Sequence, residues 1–179
     1  MPDADLITAH RLAERHAKQR ARILVAEDNV INQKVTVRLL EKLGCQVDVV
    51  PNGRLAVEAV THRAYDLVLM DCKMPEMDGF KATEEIRLLE GRNAIASRRE
   101  VSENGAASSR SGALPAKIPI IALTASVCTE DRDRCLRSGM DDCLSKPLSI
   151  EGLETMMDRW LPISSRDDET AGSRRAEPS

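Results

Sequence analysis

Five polar side chains fall where short apolar runs end. Glu27 and Asp28 follow Ile23-Leu24-Val25-Ala26, Asp71 follows Leu67-Val68-Leu69-Met70, Thr124 follows Pro119-Ile120-Ile121-Ala122-Leu123, and Lys146 follows Asp142-Cys143-Leu144-Ser145. In an open parallel sheet the ligand crevice lies beyond the carboxyl ends of the strands, where strand order reverses. If these runs are strands of such a sheet, three carboxylates, one hydroxyl and one ammonium converge on one face. Carboxylates packed that closely repel one another, and a hard divalent cation such as Mg2+ is their natural compensation. The cation would keep part of its shell open for phosphate oxygens, while Lys146 neutralised a second oxygen and Thr124 donated to a third. Taken singly each residue has a plainer role, since acids after strands often cap helices and Lys-Pro is an ordinary turn. The five together point to phosphate chemistry.

The elements that must position them alternate regularly. Ile23–Ala26 reads as a first strand, and residues 30–43 follow a helical period with Ile31, Val35, Leu39 and Leu43 spaced by four. Gly44 stops that helix where a left-handed residue is cheapest. Val47, Val49 and Val50 mark a second strand, and Pro51-Asn52-Gly53 turns into a helix carrying Leu55, Ala56, Ala59 and Val60. The third strand runs from Tyr65 into Asp71, and Asp78-Gly79 is a turn and helix start, followed by a helix from about Phe80 to Leu89. The fourth strand is Pro119–Leu123, residues 129–137 form a charged helix ending near Gly139, and Asp142–Leu144 is a short fifth strand. Ile150–Leu161 is a last helix with Leu153, Met157, Trp160 and Leu161 inward. Continuous apolar strands alternating with helices predict an α/β fold, a parallel sheet covered on both faces.

Two kinds of segment fall outside the rhythm. Residues 1–20 carry only a thin apolar stripe (Leu6, Ala9, Ala13, Ala17) and read as a linker or helical extension belonging to a longer protein. Residues 162–179 have nothing to bury and read as a flexible tail. Between the third helix and the fourth strand, residues 91–117 have a Ser/Ala/Gly/Arg-rich middle and read as a disordered insertion, with a short helical start near 94–101. The main body is then 21–161.

Composition excludes several classes. The chain of 179 residues carries 26 basic and 29 acidic side chains, a net charge of -3, which argues against a general polyanion binder. A single Trp, Tyr and Phe leave no stacking platform for single strands, so no nucleic-acid partner is expected. No apolar stretch is long enough to span a bilayer and the first residues lack a signal-peptide profile, so a cytoplasmic chain without membrane contact is expected. The five cysteines are scattered without a CxxC pair, and the three histidines form no ligand-spaced cluster, so zinc is not expected.

The landmarks Ile-Leu-Val-Ala-Glu27-Asp28-Asn29-Val-Ile-Asn32-Gln33, Leu-Val-Leu-Met-Asp71-Cys72-Lys73-Met74-Pro75-Glu-Met77-Asp78-Gly79, Pro119-Ile-Ile-Ala-Leu-Thr124-Ala125 and Gly139-Met-Asp-Asp-Cys143-Leu-Ser-Lys146-Pro147 together resemble the receiver domain of two-component response regulators. The resemblance is greatest to receivers of hybrid sensor histidine kinases. It implies a five-stranded sheet of order 2-1-3-4-5 with five helices, and it assigns roles. Asp71 is the implied phosphoacceptor, attacking a phosphohistidine to form an acyl phosphate. Glu27 (directly or through a water), Asp28, Asp71 and the main-chain carbonyl of Lys73 are the implied ligands of Mg2+ or Mn2+. Thr124 is the implied switch hydroxyl, Ala125 leaves room for the phosphate, and Lys146 is the implied ion-pairing lysine, with a cis bond to Pro147. Cys72, Met74 and Pro75 shape the turn beside the site, and Met77 and Phe80 are packing residues. Family members often carry an aromatic where Cys143 stands, so the usual coupling of the switch hydroxyl to that residue is muted or replaced here. Cys143 itself reads as a small buried residue, not a redox sensor. The insertion lies at the end of the sheet opposite Asp71, where it leaves the chemistry alone and is free to tether a partner.

The implied partner is a histidine kinase core or a histidine phosphotransfer domain, docking over the Asp71 face and the first helix, whose Asn32, Gln33 and Lys34 are available for polar contacts. A hybrid-kinase parent would allow a membrane anchor outside this chain, and no DNA-binding output module is expected after Leu161. An aspartate-nucleophile phosphohydrolase would want a second carboxylate two residues after Asp71, where Lys73 stands. A degenerate receiver that only binds protein remains the other reading.

Overall fold

The computed structural model describes residues 21–103, 117–125 and 129–161, and the side chains of all of these except 96–103 and 129–130. The expected extensions 1–20 and 162–179, and the middle of the expected insertion, lie outside the described residues.

Five strands form one sheet: β1 (Arg22–Ala26), β2 (Gln46–Val50), β3 (Leu67–Asp71), β4 (Ile120–Thr124) and β5 (Asp142–Ser145). Their order is β2-β1-β3-β4-β5 and every pairing is parallel. Order and class are those implied by the resemblance. The connecting helices are α1 (Val30–Lys42), α2 (Gly53–His62), α3 (Gly79–Glu103), α4 (Thr129–Arg137) and α5 (Ile150–Trp160).

Alternation along each strand splits the core in two. Leu24, Ala26, Val68, Met70, Ile120 and Ala122 face Ala56 and Val60 of α2 and Ala82 and Ile86 of α3. Ile23, Val25, Leu67, Leu69, Ile121 and Leu123 face Leu40 of α1 and Leu153 and Met157 of α5. With successive side chains on opposite faces, strands buried on both faces must be apolar at every position. β3 and β4 are buried throughout, which is why they end abruptly at the first polar residue the fold can use. Edge strand β2 is only partly buried.

Helix ends follow local chemistry. The Asn29 side chain caps α1 by accepting from the N–H groups of Ile31 and Asn32, and Asn52 and Ser149 cap α2 and α5 in the same way. Gly44 ends α1 at a φ of 86°, the left-handed conformation that glycine adopts without penalty.

One boundary differs from the sequence reading. α3 does not stop near Leu89 but continues to Glu103, so the helical start expected near 94–101 is present and is continuous with α3, and residues 91–103 of the expected insertion are helical. Glycine inside a helix costs about 1 kcal/mol against alanine, too little to end one by itself, and a side chain at Gly91 would meet only open space. The following Arg92-Asn93-Ala94-Ile95-Ala96 contains no helix breaker. Beyond Glu90 the helix leaves the core, as the exposure of Ile95 shows.

Candidate functional site

The register of the sheet brings the carboxyl ends together. Ala26 pairs with Met70, Asp71 with Leu123, and Thr124 with Ser145. Main-chain bonds extend the pairing past the strands: Glu27 N–H donates to Val50 O at 3.1 Å, Cys72 N–H to Leu123 O at 3.2 Å, and Lys146 N–H to Thr124 O at 2.8 Å. Glu27, Asp71, Thr124 and Lys146 are therefore fixed by the ends of a rigid sheet. A side chain at Gly79 would run into the Asp71 carbonyl, so glycine there lets the start of α3 close over the strand end.

Lys146 joins the two buried acids. Its Nζ donates to Glu27 Oε2 at 2.6 Å and to Asp71 Oδ2 at 2.7 Å. Asp71 Oδ1 accepts from the Lys73 N–H at 3.1 Å. One carboxylate oxygen from each of Glu27, Asp28 and Asp71 lies within 4.8 Å of the others. Glu27 and Asp71 are buried, at 1% and 7% exposure, while Asp28 is open to solvent. Burial pushes the Asp71 carboxyl above its ordinary range, and the Lys146 ammonium and Lys73 N–H offset this only in part. Burial alone would lower Lys146, yet the two carboxylates outweigh it and hold the ammonium above its usual value. The result is a group of three carboxylates against one ammonium, in a set of hard oxygen donors. That donor set fits Mg2+ or a similar hard cation.

The remaining expected residues are placed as follows. Thr124 is buried at the end of β4 and Ala125 beside it is exposed. The Lys146–Pro147 bond is cis. Asp28, Cys72, Lys73, Met74, Pro75, Asp78, Phe80 and Arg134 surround an open cleft of about 530 Å³ next to Asp71. Met74, Met77 and Phe80 pack against the core on that side, as does Cys143, which is only half-buried. Burial, then the Asp142 carboxylate, pushes the Cys143 thiol upward, away from a reactive thiolate. Cys72 Sγ lies 3.9 Å from Cys135 Sγ, and burial, then Cys135, pushes the Cys72 thiol upward too.

The structure corrects the expected role of Asn32 and Gln33. They turn toward the site: Asn32 Nδ2 donates to Glu27 Oε1 at 3.1 Å and Gln33 Nε2 to the Glu27 carbonyl at 2.6 Å. Helical phase gives the direction of a side chain and not its reach, so both had read as surface contacts. Arg134 was also missed. Its guanidinium sits 4.1 Å from the centre of the Phe80 ring at the cleft wall, a pairing of residues remote in sequence that no local pattern announces.

Comparison with known proteins places this geometry. The family model for the response regulator receiver domain matches residues 23–113. The hybrid signal transduction histidine kinase B of Dictyostelium discoideum is 42% identical over 136 residues, covering 76% of this chain and 6% of that protein. A crystal structure of the receiver domain of a sensor histidine kinase from Pseudomonas aeruginosa PAO1, with a magnesium ion coordinated in the active site cleft, is 38% identical. It aligns at a TM-score of 0.60, over 79% of this chain and 97% of that one. The complex of the Saccharomyces cerevisiae histidine phosphotransfer signaling protein Ypd1 with the receiver domain of its downstream response regulator Ssk1 aligns at a TM-score of 0.68 and 30% identity. That alignment spans 84% of this chain and 94% of the other. The chain belongs to the response regulator receiver domain family of two-component signalling and is similar to the receivers of hybrid histidine kinases. It spans 6–18% of the length of curated relatives such as these.

Proposed function

We propose that this chain is a phosphoacceptor receiver, with residues 21–161 forming the receiver, 1–20 and 162–179 its linker and tail, and 91–117 an insertion. A carboxylate oxygen of Asp71 attacks the phosphorus of a phosphohistidine on a partner protein. The O–P bond forms as the P–N bond breaks, its electron pair staying on the leaving nitrogen, so that an aspartyl phosphate and, with one proton taken up from solvent, a neutral imidazole result. The observation that carries this reading is Lys146, bonded at once to Asp71 and Glu27 beside an exposed third carboxylate.

Glu27, Asp28, Asp71 and the Lys73 carbonyl would hold Mg2+ or Mn2+, which neutralises charge on the phosphoryl oxygens when bound. Every other contribution comes from the chain. Lys146 supplies a second positive charge, and Thr124 supplies a hydroxyl that shifts to a phosphoryl oxygen and carries the switch. The exposed Ala125 leaves that oxygen room. Cys143, half-buried, is too small to follow Thr124 inward as an aromatic would, so that coupling is muted or replaced. Positioning and charge neutralisation are all the transfer requires of a protein.

The partner is a histidine phosphotransfer domain or a histidine kinase core. Val30, Ile31 and Val35 of α1 are 58%, 72% and 48% exposed beside the acidic cluster and supply an apolar docking stripe. The similarity to a receiver crystallised with a phosphotransfer protein supports this partner class. Among the described residues no helix is long and apolar enough to cross a membrane.

The test is intact mass after incubation with a small phosphodonor or a phosphorylated phosphotransfer protein. One phosphoryl adduct is expected, lost in Asp71→Asn and lost with a chelator. A chain labelled by neither donor would instead be a protein-binding module that has kept the site without the reaction.

A further inference from the structure

Glu27 is 1% exposed and its carboxylate is held on both oxygens. Oε1 accepts from the Asn29 N–H at 3.2 Å and from Asn32 Nδ2 at 3.1 Å, and Oε2 accepts from Lys146 Nζ at 2.6 Å. A carboxylate offers about two lone-pair directions per oxygen. Oε1 is thus filled and Oε2 keeps one direction, on the side it shares with Asp71 through Lys146. The donors are not equivalent. Lys146 also serves Asp71, and the Asn29 contact is main chain. Among these contacts, Asn32 is the one side chain that serves Glu27 alone.

We infer that Asn32 is a positioning residue for the divalent cation: it fixes the buried Glu27 carboxylate so that Oε2 alone is presented to the metal site. This rests on reading the acidic cluster as that site. Without the Asn32 amide, Oε1 keeps only the 3.2 Å bond from the Asn29 N–H in a buried setting, and the carboxylate turns more freely about its last torsion under the pull of Lys146. Groups that orient a metal-binding side chain set affinity nearly as strongly as the ligands do. Mg2+ demands near-ideal octahedral geometry whereas Ca2+ accepts irregular shells, so a loosened Glu27 harms Mg2+ binding more than Ca2+ binding.

A purely structural role makes a different prediction. The start of α1 is capped by the Asn29 side chain, which accepts from Ile31 N–H at 2.9 Å and Asn32 N–H at 3.3 Å. Those bonds do not use the Asn32 side chain, so removing its amide leaves the cap in place.

The experiment is calorimetric titration of the full chain with Mg2+ and with Ca2+, beside the metal-free melting temperature, for the wild type and Asn32→Ala. Mg2+ affinity is expected to fall by about 10–100-fold, Ca2+ affinity by less, and the melting temperature to stay within about 4 °C. If Asn32→Ala does not fold, Asn32→Gln, which keeps the amide on a longer arm, carries the same measurement. Unchanged Mg2+ affinity in a folded variant overturns the inference, as does equal loss for both ions. Failure of both variants to fold makes Asn32 structural and overturns it as well. A wild type that binds no Mg2+ overturns the reading of the cluster itself, an outcome distinct from wild-type binding that Asn32→Ala leaves untouched.

Discussion

The two ends of the sheet hold the same kinds of side chain in opposite balance. At the carboxyl end, three carboxylates face one ammonium, and one acid stays in solvent. At the amino end, Glu90 and Asp141 face Arg87 and Lys117, two charges against two. Arg87 donates to the Gly139 carbonyl at 2.9 Å, the Ile118 carbonyl at 2.9 Å, Glu90 at 2.8 Å and Asp141 at 2.6 Å. Glu90 and Asp141 accept in turn from the Ile118 and Ile120 N–H groups, and Lys117 pairs with Asp141. A buried network that is balanced and fully hydrogen-bonded holds structure together. One left with excess negative charge awaits a cation. Charge balance, more than the number of charged residues, separates a clamp from a site.

Breaking the clamp should have the largest effect. Arg87→Ala removes the guanidinium shared by the Glu90 and Asp141 carboxylates, leaving Glu90 without an ionic partner in the clamp, and is expected to cost about 3–5 kcal/mol by denaturant unfolding, with Mg2+ affinity unchanged; a cost under about 1 kcal/mol would erase the distinction between the ends. Filling the site is next. Mg2+ at about 100 times its dissociation constant should add about 2.7 kcal/mol, removed by chelator and weakened in Asp28→Asn; equal stabilisation of Asp28→Asn would place the ion elsewhere.

Asp142 sharpens the amino end. Burial alone would raise its pKa, but the Cys143 N–H, Trp160 Nε1 and Arg159 outweigh that and hold it below the ordinary carboxylate range. A carboxyl lowered on folding contributes stability above its unfolded pKa and loses it as pH falls through the folded one. Asp142→Asn should cost about 1.5–3 kcal/mol at neutral pH, with that cost shrinking in acid below the ordinary carboxylate pKa. A cost that stays constant with pH would assign it to packing. Smallest is Arg134→Ala at the cleft, expected to change stability by about 0.5–1 kcal/mol; a larger loss by thermal melting would mean that the pairing of exposed Arg134 with half-buried Phe80 holds α4.

Much of this was legible in the sequence, for a physical reason. Strands buried on both faces must be apolar at every position, so Glu27, Asp71, Thr124 and Lys146 stand out as interruptions at their ends. What escaped reading depended on distance in space. Arg87 and Asp141 are 54 positions apart yet pair at 2.6 Å in the clamp. Asn32 and Gln33 looked like surface residues because helical phase cannot report that a carboxylate lies within reach. The end of α3 was misplaced because the Ser/Ala/Gly/Arg-rich composition farther along was taken to begin at Gly91, although Arg92-Asn93-Ala94-Ile95-Ala96 contains no helix breaker.

The clamp also bears on how such a chain can change. Glu90 and Arg87 grip the N–H and carbonyl of Ile118, so the chain leaves the body at Glu90 and re-enters it at a fixed doorway. The entropy cost of closing a connection between two fixed points grows only slowly with its length, about 0.6 kcal/mol per doubling. Sequence threaded between those two posts can therefore be rewritten by drift or selection while Asp71, at the far end of the strands, is left undisturbed.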